Sequence, residues 1–414
     1  MKILFINISD IIGGAAIAAM RLGDGLEKYF NTENYFVVRT KRSEKENVFP
    51  TRKNSFEQSF ERWFNIATNI LGLQYQILPI SPSVIRRKIK EIKPDIISLH
   101  NTLGGYFTIG MFEEISRSAP VVWTLHDMWA FTGNAAHTFG DESWKQMKNS
   151  RQNTKIFPSI GINTGKFLLK QKKNVYSRSN LTIVTPSMWL FNLAKESPVF
   201  EGKKIHQIFN GIDMERFSPQ NKSISRKRLG IPEDAKLLMF SAEKLKGNPY
   251  KGGKDLIEIL RIMNSTLKTK VHLLILGIGK LDEISSLENF IVHSAGYIDK
   301  EEKMAECLSA SDMFIYPTRA DNLSNALIEA IACATPSVTF DVGGCSEIIK
   351  DKVSGRLIKP FDLNDFAGKT LEVLFDEEKL RSLSESARKF AVENFSLKNM
   401  AGNYYRLFDS LIIK

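Results

Sequence analysis

Residues 318–347 read TRADNLSNALIEAIACATPSVTFDVGGCSE, and three kinds of structure follow one another within the run. A polar loop passes into NLSNALIEAIA, rich in the residues that favour helix. Pro336 ends that run, and PSVTFDV reads as a short buried strand. Asn322 or Ser324 is placed to cap the helix. The alternation extends upstream, where KLLMFSA, HLLILG, NFIVHSAG and MFIYPT read as strands with helices between them. This series begins after Asn210-Gly211-Ile212-Asp213.

The first half repeats the plan without obvious sequence similarity. KILFINI is a strand, and GGAAIAAMRLGDGLEKYF follows with helical spacing. YFVVRT, DIISLH, VVWTLHD and LTIVTPS are further strands. Residues 83–93 read as a basic helix stopped by Pro94, and Ser187 is set to cap the helix after LTIVTPS. From about Phe131 to Asn180 the periodicity is poor, which predicts a long functional or mobile loop. Alternating strands and helices imply an α/β fold with parallel sheets covered on both faces. A chain of 414 residues is too long for one ordinary core. The reading is two Rossmann-like domains facing across a cleft, residues 1–205 and 206–396. Residues from about 397 to 414 carry Tyr404, Leu407, Phe408 and Leu411 near one helical face. They are expected to pack back on the N-terminal domain.

Composition bounds the function. Apolar residues make up 43% and charged residues 25%, ordinary values for a globular protein. Cys307, Cys333 and Cys345 offer neither a CxxC spacing nor an even disulfide set, which suits a reducing cytosol. MKILFINI is too short for a signal segment, and no run of about 18 apolar residues predicts a spanning helix. The net charge of +11 is uneven: residues 1–205 hold 28 Lys+Arg against 17 Asp+Glu, and the remainder holds 29 of each. Arg86, Arg87, Lys88, Lys90 and Lys93 form one basic cluster, and Lys166, Lys170, Lys172 and Lys173 another. Such a half can face anionic lipid, an anionic substrate or nucleic acid, or it can simply be a solvated surface.

Asp321 and Glu329 are separated by seven residues across the start of the helix in 318–347. A helix N-terminus presents N–H groups and a positive dipole end to an anion, and a pyrophosphate meets that need. Glu329, one turn inside, can accept hydrogen bonds from a ribose diol. The alternative is a capped surface helix with an exposed Glu. No HExxH and no Ser-His-Asp constellation appears, and no DxD triplet marks a metal-bound pyrophosphate.

DNLSNALIEAIACATPSVTFDVGGCSEII resembles the donor-site signature of glycosyltransferase family 4, a retaining family with the two-domain GT-B fold. Asp321 stands where many members have Glu, and Ala334 where the family has Gly. The resemblance covers nearly the whole chain. Gly13-Gly14-Ala15-Ala16 is similar to the glycine-rich turn after the first strand, and it is not a GxGxxG. PDIISLHN and TLHDMWAFTG resemble strand ends of the branch that makes surface polysaccharides, without the cysteines that often follow there. VTPSMWL and NGIDMERFSP resemble the family's approach to its interdomain linker. KGGKDLIEIL is similar to its phosphate-lysine turn, with Lys251 as the lysine. The upstream Gly-Arg pair is missing from FSAEKLKGNPYKGG, where Lys244 or Lys246 is the available substitute.

The resemblance implies a metal-independent transferase that moves a sugar from a nucleoside diphosphate to an acceptor hydroxyl and needs no further cofactor. By carry-over, Glu329 binds the ribose. Asp321, with the backbone of Asn322, Leu323 and Ser324, holds the sugar and diphosphate. Lys251 and the Gly13-Gly14 turn neutralise or cradle phosphate, and His126 faces the reacting sugar. The expected acceptor is a growing surface polysaccharide or lipid-linked glycan. The expected location is the cytoplasm, at the inner face of the membrane, where the basic half can meet anionic lipid. Two rivals stand beside it. One is a catalytically silent sugar-nucleotide-binding protein of the same fold, prompted by the missing Gly-Arg pair. The other, a nucleic-acid binder, lacks aromatic residues interleaved in the 83–93 cluster.

Overall fold

Strands buried on both faces need near-continuous apolar runs, and the short runs above meet that need. A computed structural model describes residues 1–150, 153–244, 248, 250–279 and 282–412. Among the described residues these runs form two parallel sheets. The first contains β1 (Lys2–Ser9), β2 (Glu33–Thr40), β3 (Val48–Pro50), β4 (Ile96–Leu99), β5 (Val121–Thr124), β6 (Leu181–Thr185) and β7 (Lys204–Gln207). The second contains β8 (Leu237–Lys244), β9 (Val271–Ile278), β10 (Phe290–Gly296), β11 (Met313–Tyr316), β12 (Ser337–Phe340) and β13 (Gly355–Ile358). Their orders are β3-β2-β1-β4-β5-β6-β7 and β10-β9-β8-β11-β12-β13. Every pairing is parallel. Each order reverses beside its first strand, at β1/β4 and at β8/β11. In such sheets ligands bind outside the carboxyl ends at the reversal.

The chain divides into two compact units, Met1–Gly211 with Lys398–Lys414, and Ile212–Leu397. The first unit holds 31 Lys+Arg against 18 Asp+Glu, and the second 26 against 28. The first core contains an aromatic cluster, with Phe112 packed 4.3 Å from Trp123 and 5.0 Å from Tyr176, centroid to centroid. The second core is mostly aliphatic, around Leu238, Ile259, Leu273 and Ile315. Helix Leu397–Ile412 returns to the first unit. There the Tyr404 hydroxyl lies 2.9 Å from Thr124 Oγ1, and Tyr405 stacks on Phe30 at 4.5 Å.

The poorly periodic stretch is not all loop. Helix Gly165–Arg178 occupies part of it. Its buried face mixes Leu168, Leu169, Val175 and Tyr176 with Lys172, and the lysine breaks the apolar pattern. Lys172 is thereby removed from the solvated basic cluster, being only 1% exposed. Helix Ser55–Ile70 and the short strands β3, β7 and β13 also lie outside the elements the sequence suggested.

Candidate active site

In the second unit, β11 ends at Tyr316 and the chain turns through Pro317-Thr318-Arg319-Ala320 to Asp321. Tyr250 of a neighbouring turn organises this segment. Its carbonyl accepts from Thr318 Oγ1 at 2.8 Å and from the Arg319 N–H at 2.7 Å. Close backbone approach is possible because two glycines face the turn. A Cβ on Gly252 would lie 1.7 Å from the Pro317 oxygen, and one on Gly343 would lie 1.8 Å from the Asp321 oxygen. Both have positive φ, 66° and 58°, so both positions demand glycine. Arg319 clamps the helix Gly253–Thr266 by a two-pronged pair to Asp255, at 2.6 and 2.7 Å.

This scaffold aims three polar side chains at one point. Lys251 Nζ donates to Asp321 Oδ2 at 2.6 Å and to the Tyr316 hydroxyl at 2.8 Å. The Tyr316 hydroxyl in turn donates to the same Asp321 oxygen at 2.6 Å. Burial opposes the Lys251 charge, but the Asp321 carboxylate and Tyr316 outweigh it and hold its pKa above the usual value. Burial, with Asp321 alongside, raises the Tyr316 phenol so that it stays protonated. Lys251 keeps a third of its side-chain surface exposed, so the cation is both fixed and reachable. Beyond Asp321, Ser324 is the cap, accepting from the Leu327 N–H at 3.3 Å, and helix Asn325–Ala332 follows. Asn322 and Leu323 are the buried turn residues before it. Glu329 sits mid-helix and is 8% exposed, so it is not the exposed surface Glu of the bland alternative. The first-turn N–H groups of any helix lack intrahelical acceptors and favour an anion.

In the first unit, β1 runs to Ser9 and Gly13 precedes helix Gly14–Phe30. Gly13's carbonyl accepts from the Ala16 and Ile17 N–H groups at 3.0 and 3.1 Å, which starts the helix. A pocket opens at the carboxyl ends of β4 and β5, lined among others by His100, Asn101, Thr124, His126, Asp127 and Trp129. His126 does not pair with its neighbour Asp127. Its Nε2 lies 3.0 Å from His100 Nδ1, and His100 Nε2 lies 3.1 Å from Ser98 Oγ. Burial pushes His126 down to about 4, and burial with His126 beside it lowers His100 as well, so both rings are neutral at pH 7. Asp127 Oδ1 accepts from the Trp129 N–H at 2.8 Å, and burial pushes its carboxyl up to about 6. Lys172 locks the turn behind them. It donates to the carbonyls of Trp129 at 2.6 Å and Thr132 at 2.9 Å, with its Nζ 3.8 Å from the Trp129 ring centroid, and burial lowers its pKa well below the ordinary lysine value.

The sequence-derived residues therefore fall into two groups. Lys251, Asp321, Asn322, Leu323, Ser324 and Glu329 gather around the β11 end of the second sheet. Gly13, Gly14 and His126 belong to the first unit. Lys246 and the Lys244 side chain lie outside the described residues. Sequence reasoning missed Tyr316, the His100–His126 contact and the buried Lys172. Only Tyr316 carried a signal, as a hydroxyl-bearing aromatic at the carboxyl end of a strand. Among the described residues no group of three or more His, Cys, Asp or Glu side chains is arranged to hold a metal ion.

Two family models match: "Glycosyltransferase Family 4" over residues 12–216 and "Glycosyl transferases group 1" over residues 221–390. D-inositol 3-phosphate glycosyltransferase of Geodermatophilus obscurus is 30% identical over 338 residues, covering 77% of this chain and 68% of that one. N-acetyl-alpha-D-glucosaminyl L-malate synthase of Bacillus anthracis is 25% identical over 211 residues, covering 50% of this chain. That match spans only 54% of the synthase's length. Among solved structures, Anabaena HepE in complex with UDP-glucose superposes with a TM-score of 0.68 at 17% identity, covering 99% of this chain and 100% of HepE. The fold is thus that of GT-B glycosyltransferases, and with the sequence matches it follows that the chain belongs to glycosyltransferase family 4.

Proposed function

We propose that this protein is a retaining, metal-independent glycosyltransferase that uses a nucleoside-diphosphate sugar. The observation that carries the reading is the Lys251–Asp321–Tyr316 cluster beside the capped helix that bears Glu329. It supplies a fixed cation and helix N–H groups for a diphosphate, a carboxylate for sugar hydroxyls and a second carboxylate for the ribose. Asp321 and Lys251 are the groups set against the reacting end of the donor. The backbone of Asn322, Leu323 and Ser324 hydrogen-bonds the sugar and phosphates. Gly13 and Gly14 cradle phosphate, and His126, neutral at pH 7, hydrogen-bonds the transferred sugar. In the transfer, the bond from the anomeric carbon to the phosphate oxygen breaks while the acceptor oxygen bonds that carbon from the same face. The acceptor's proton passes to the departing phosphate. Lys251 and the helix end stabilise the charge that develops there.

The acceptor is proposed to be a growing surface polysaccharide or a lipid-linked glycan met at the inner membrane face. No helix among the described residues is long and apolar enough to cross a membrane. A silent nucleotide-sugar binder is the second reading, favoured by the missing Gly-Arg pair and by a Lys251 already engaged by Asp321.

The test is a thermal-shift screen of UDP-, GDP- and ADP-sugars. A ligand at 100 times its Kd adds about 2.7 kcal/mol of stability. Glu329→Ala should lose the shift while a distal surface variant keeps it. No shift with any nucleotide sugar sinks the proposal. A shift with neither transfer nor donor hydrolysis selects the silent reading.

A further inference from the structure

Helix Ser55–Ile70 is built inside out. Its buried residues are polar, Glu61 and Thr68. Glu61 is fully buried and accepts from Arg52 Nε at 2.6 Å and from the N–H groups of Ile80 and Ser81 at 3.1 and 2.9 Å. The opposite face carries Phe56, Phe60, Trp63, Ile66 and Ile70 at spacings of three and four, one stripe of a helix about 24 Å long. Phe56 is 75% exposed, Trp63 69% and Ile70 59%. Single exposed apolar residues need no explanation, but a continuous stripe marks an interaction surface.

The stripe continues into a second segment. The Ile162 N–H donates to the Ile70 carbonyl at 3.0 Å, and Ile162 is itself exposed. The exposed charges of the two segments themselves are mostly of one sign. Within residues 53–71 and 154–170, Lys53, Arg62, Lys155, Lys166 and Lys170 are exposed. The only acids there are the buried Glu61 and the half-buried Glu57, which accepts from the Lys53 N–H. By contrast, Arg86, Arg87 and Lys88 of the first basic cluster face Glu114 and Glu91 at 2.6 to 3.5 Å.

We propose that the apolar face of helix Ser55–Ile70 docks on an anionic lipid surface, lying in the headgroup layer with the surrounding lysines and arginine on lipid phosphates. An apolar stripe flanked by cations, on a helix lying flat, is the chemistry that an anionic interface recognises. The inference deepens the proposed membrane-side acceptor and rests on that reading for its purpose, though not for its geometry. A short run joins the docked face to the first-unit pocket. Gln74 Oε1 accepts from Trp129 Nε1 at 2.6 Å, and the Tyr75 hydroxyl accepts from the Gly104 N–H at 3.0 Å.

Flotation of the full chain with vesicles of phosphatidylcholine, with and without phosphatidylglycerol, tests it. Wild type should float with the anionic vesicles, and a Phe60→Ser/Trp63→Ser variant should partition at least about tenfold more weakly at an unchanged melting temperature. Lys166→Glu/Lys170→Glu should weaken binding to anionic vesicles, and so should salt of about 1 M, where screening acts within about 3 Å. Brominated lipid should quench wild-type fluorescence, and Trp63→Phe should lose most of that quenching. Equal flotation of wild type and Phe60→Ser/Trp63→Ser overturns the proposal. So does failure of wild type to float, including the case in which the variant merely converts a dimer to a monomer. The nucleotide-sugar shift, measured on the same variant, should be unchanged. If no nucleotide sugar stabilises wild type yet flotation behaves as expected, the transferase reading fails and the docking surface stands.

Discussion

Lys251 is held by two oxygens that also hold each other, since the Tyr316 hydroxyl bridges Lys251 and Asp321. In the proposed reaction an incoming diphosphate would draw the ammonium toward itself without unseating Asp321, and the phenol is the group placed to keep Asp321 where it is. Tyr316→Phe removes one hydrogen bond from each partner. It should lower kcat/KM by about tenfold, roughly 1.4 kcal/mol, with little change in melting temperature. Initial rates with the donor found by the screen would show it. In the other unit, pH gives the readout. His126, at about 4 in the folded chain against a usual 6.5, stays neutral where the unfolded ring is protonated, and His100 is lowered too. Their stability is complete above pH 6.5 and declines as pH falls toward 4. Asp127 has the opposite sign: raised to about 6 from 3.8, it binds its proton sooner in the folded chain and adds stability as pH falls through 6. Asp127→Asn deletes that compensation. Its melting temperature should fall more steeply than wild type's between pH 6.5 and 4.5, and parallel curves would contradict the assignment.

Among the elements, helix Ser55–Ile70 separates stability from surface. Glu61 closes a buried pair with Arg52 and takes three further hydrogen bonds, from Ile80 and from the N–H and hydroxyl of Ser81. Glu61→Ala should cost about 3–5 kcal/mol because a buried guanidinium is left without its partner. Trp63→Ser on the open face should stay within about 0.5 kcal/mol. Denaturant unfolding of the two variants decides the point. The same helix shows what local pattern can tell. Its apolar spacing is helical, but periodicity fixes only that a stripe exists, not whether protein or something else covers it. Helix Asn325–Ala332 was legible because Ser324 caps it and its apolar residues do face the core. Helix Gly165–Arg178 was not, since Lys172 turns inward and gives its hydrogen bonds to two carbonyls, over a Trp ring inside the fold. Tyr316 hid for the opposite reason: in MFIYPT it looks like one more core aromatic, and its hydroxyl matters only once the turn to Asp321 brings the carboxylate back to it.

At the scale of the molecule, both sheets follow one order outward from their first strand, yet the units differ in charge and in chemistry. The first carries all the excess positive charge, the exposed apolar helix and the pocket beside His100 and His126. The second is close to neutral and carries the cation, the capped helix and the buried Glu329. The alternation of strands made the duplication readable from the sequence, whereas this division of labour rests on side chains far apart in the chain. It has a direct consequence for a nucleoside diphosphate offered without its sugar. Lys251, the residues from Tyr316 to Ser324 and Glu329 all belong to Ile212–Leu397, and they account for most of the groups assigned to the nucleotide and phosphates. Binding should slow amide exchange across residues 250–254 and 316–330, whose opening the ligand suppresses through mass action. Glu329→Ala should abolish that protection. In the first unit, the expected change is confined to Gly13 and Gly14, the residues there to which phosphate is assigned by the proposal. Protection centred instead on His100, His126 and Trp129 would move the donor to the first unit and reverse the assignment of the two halves.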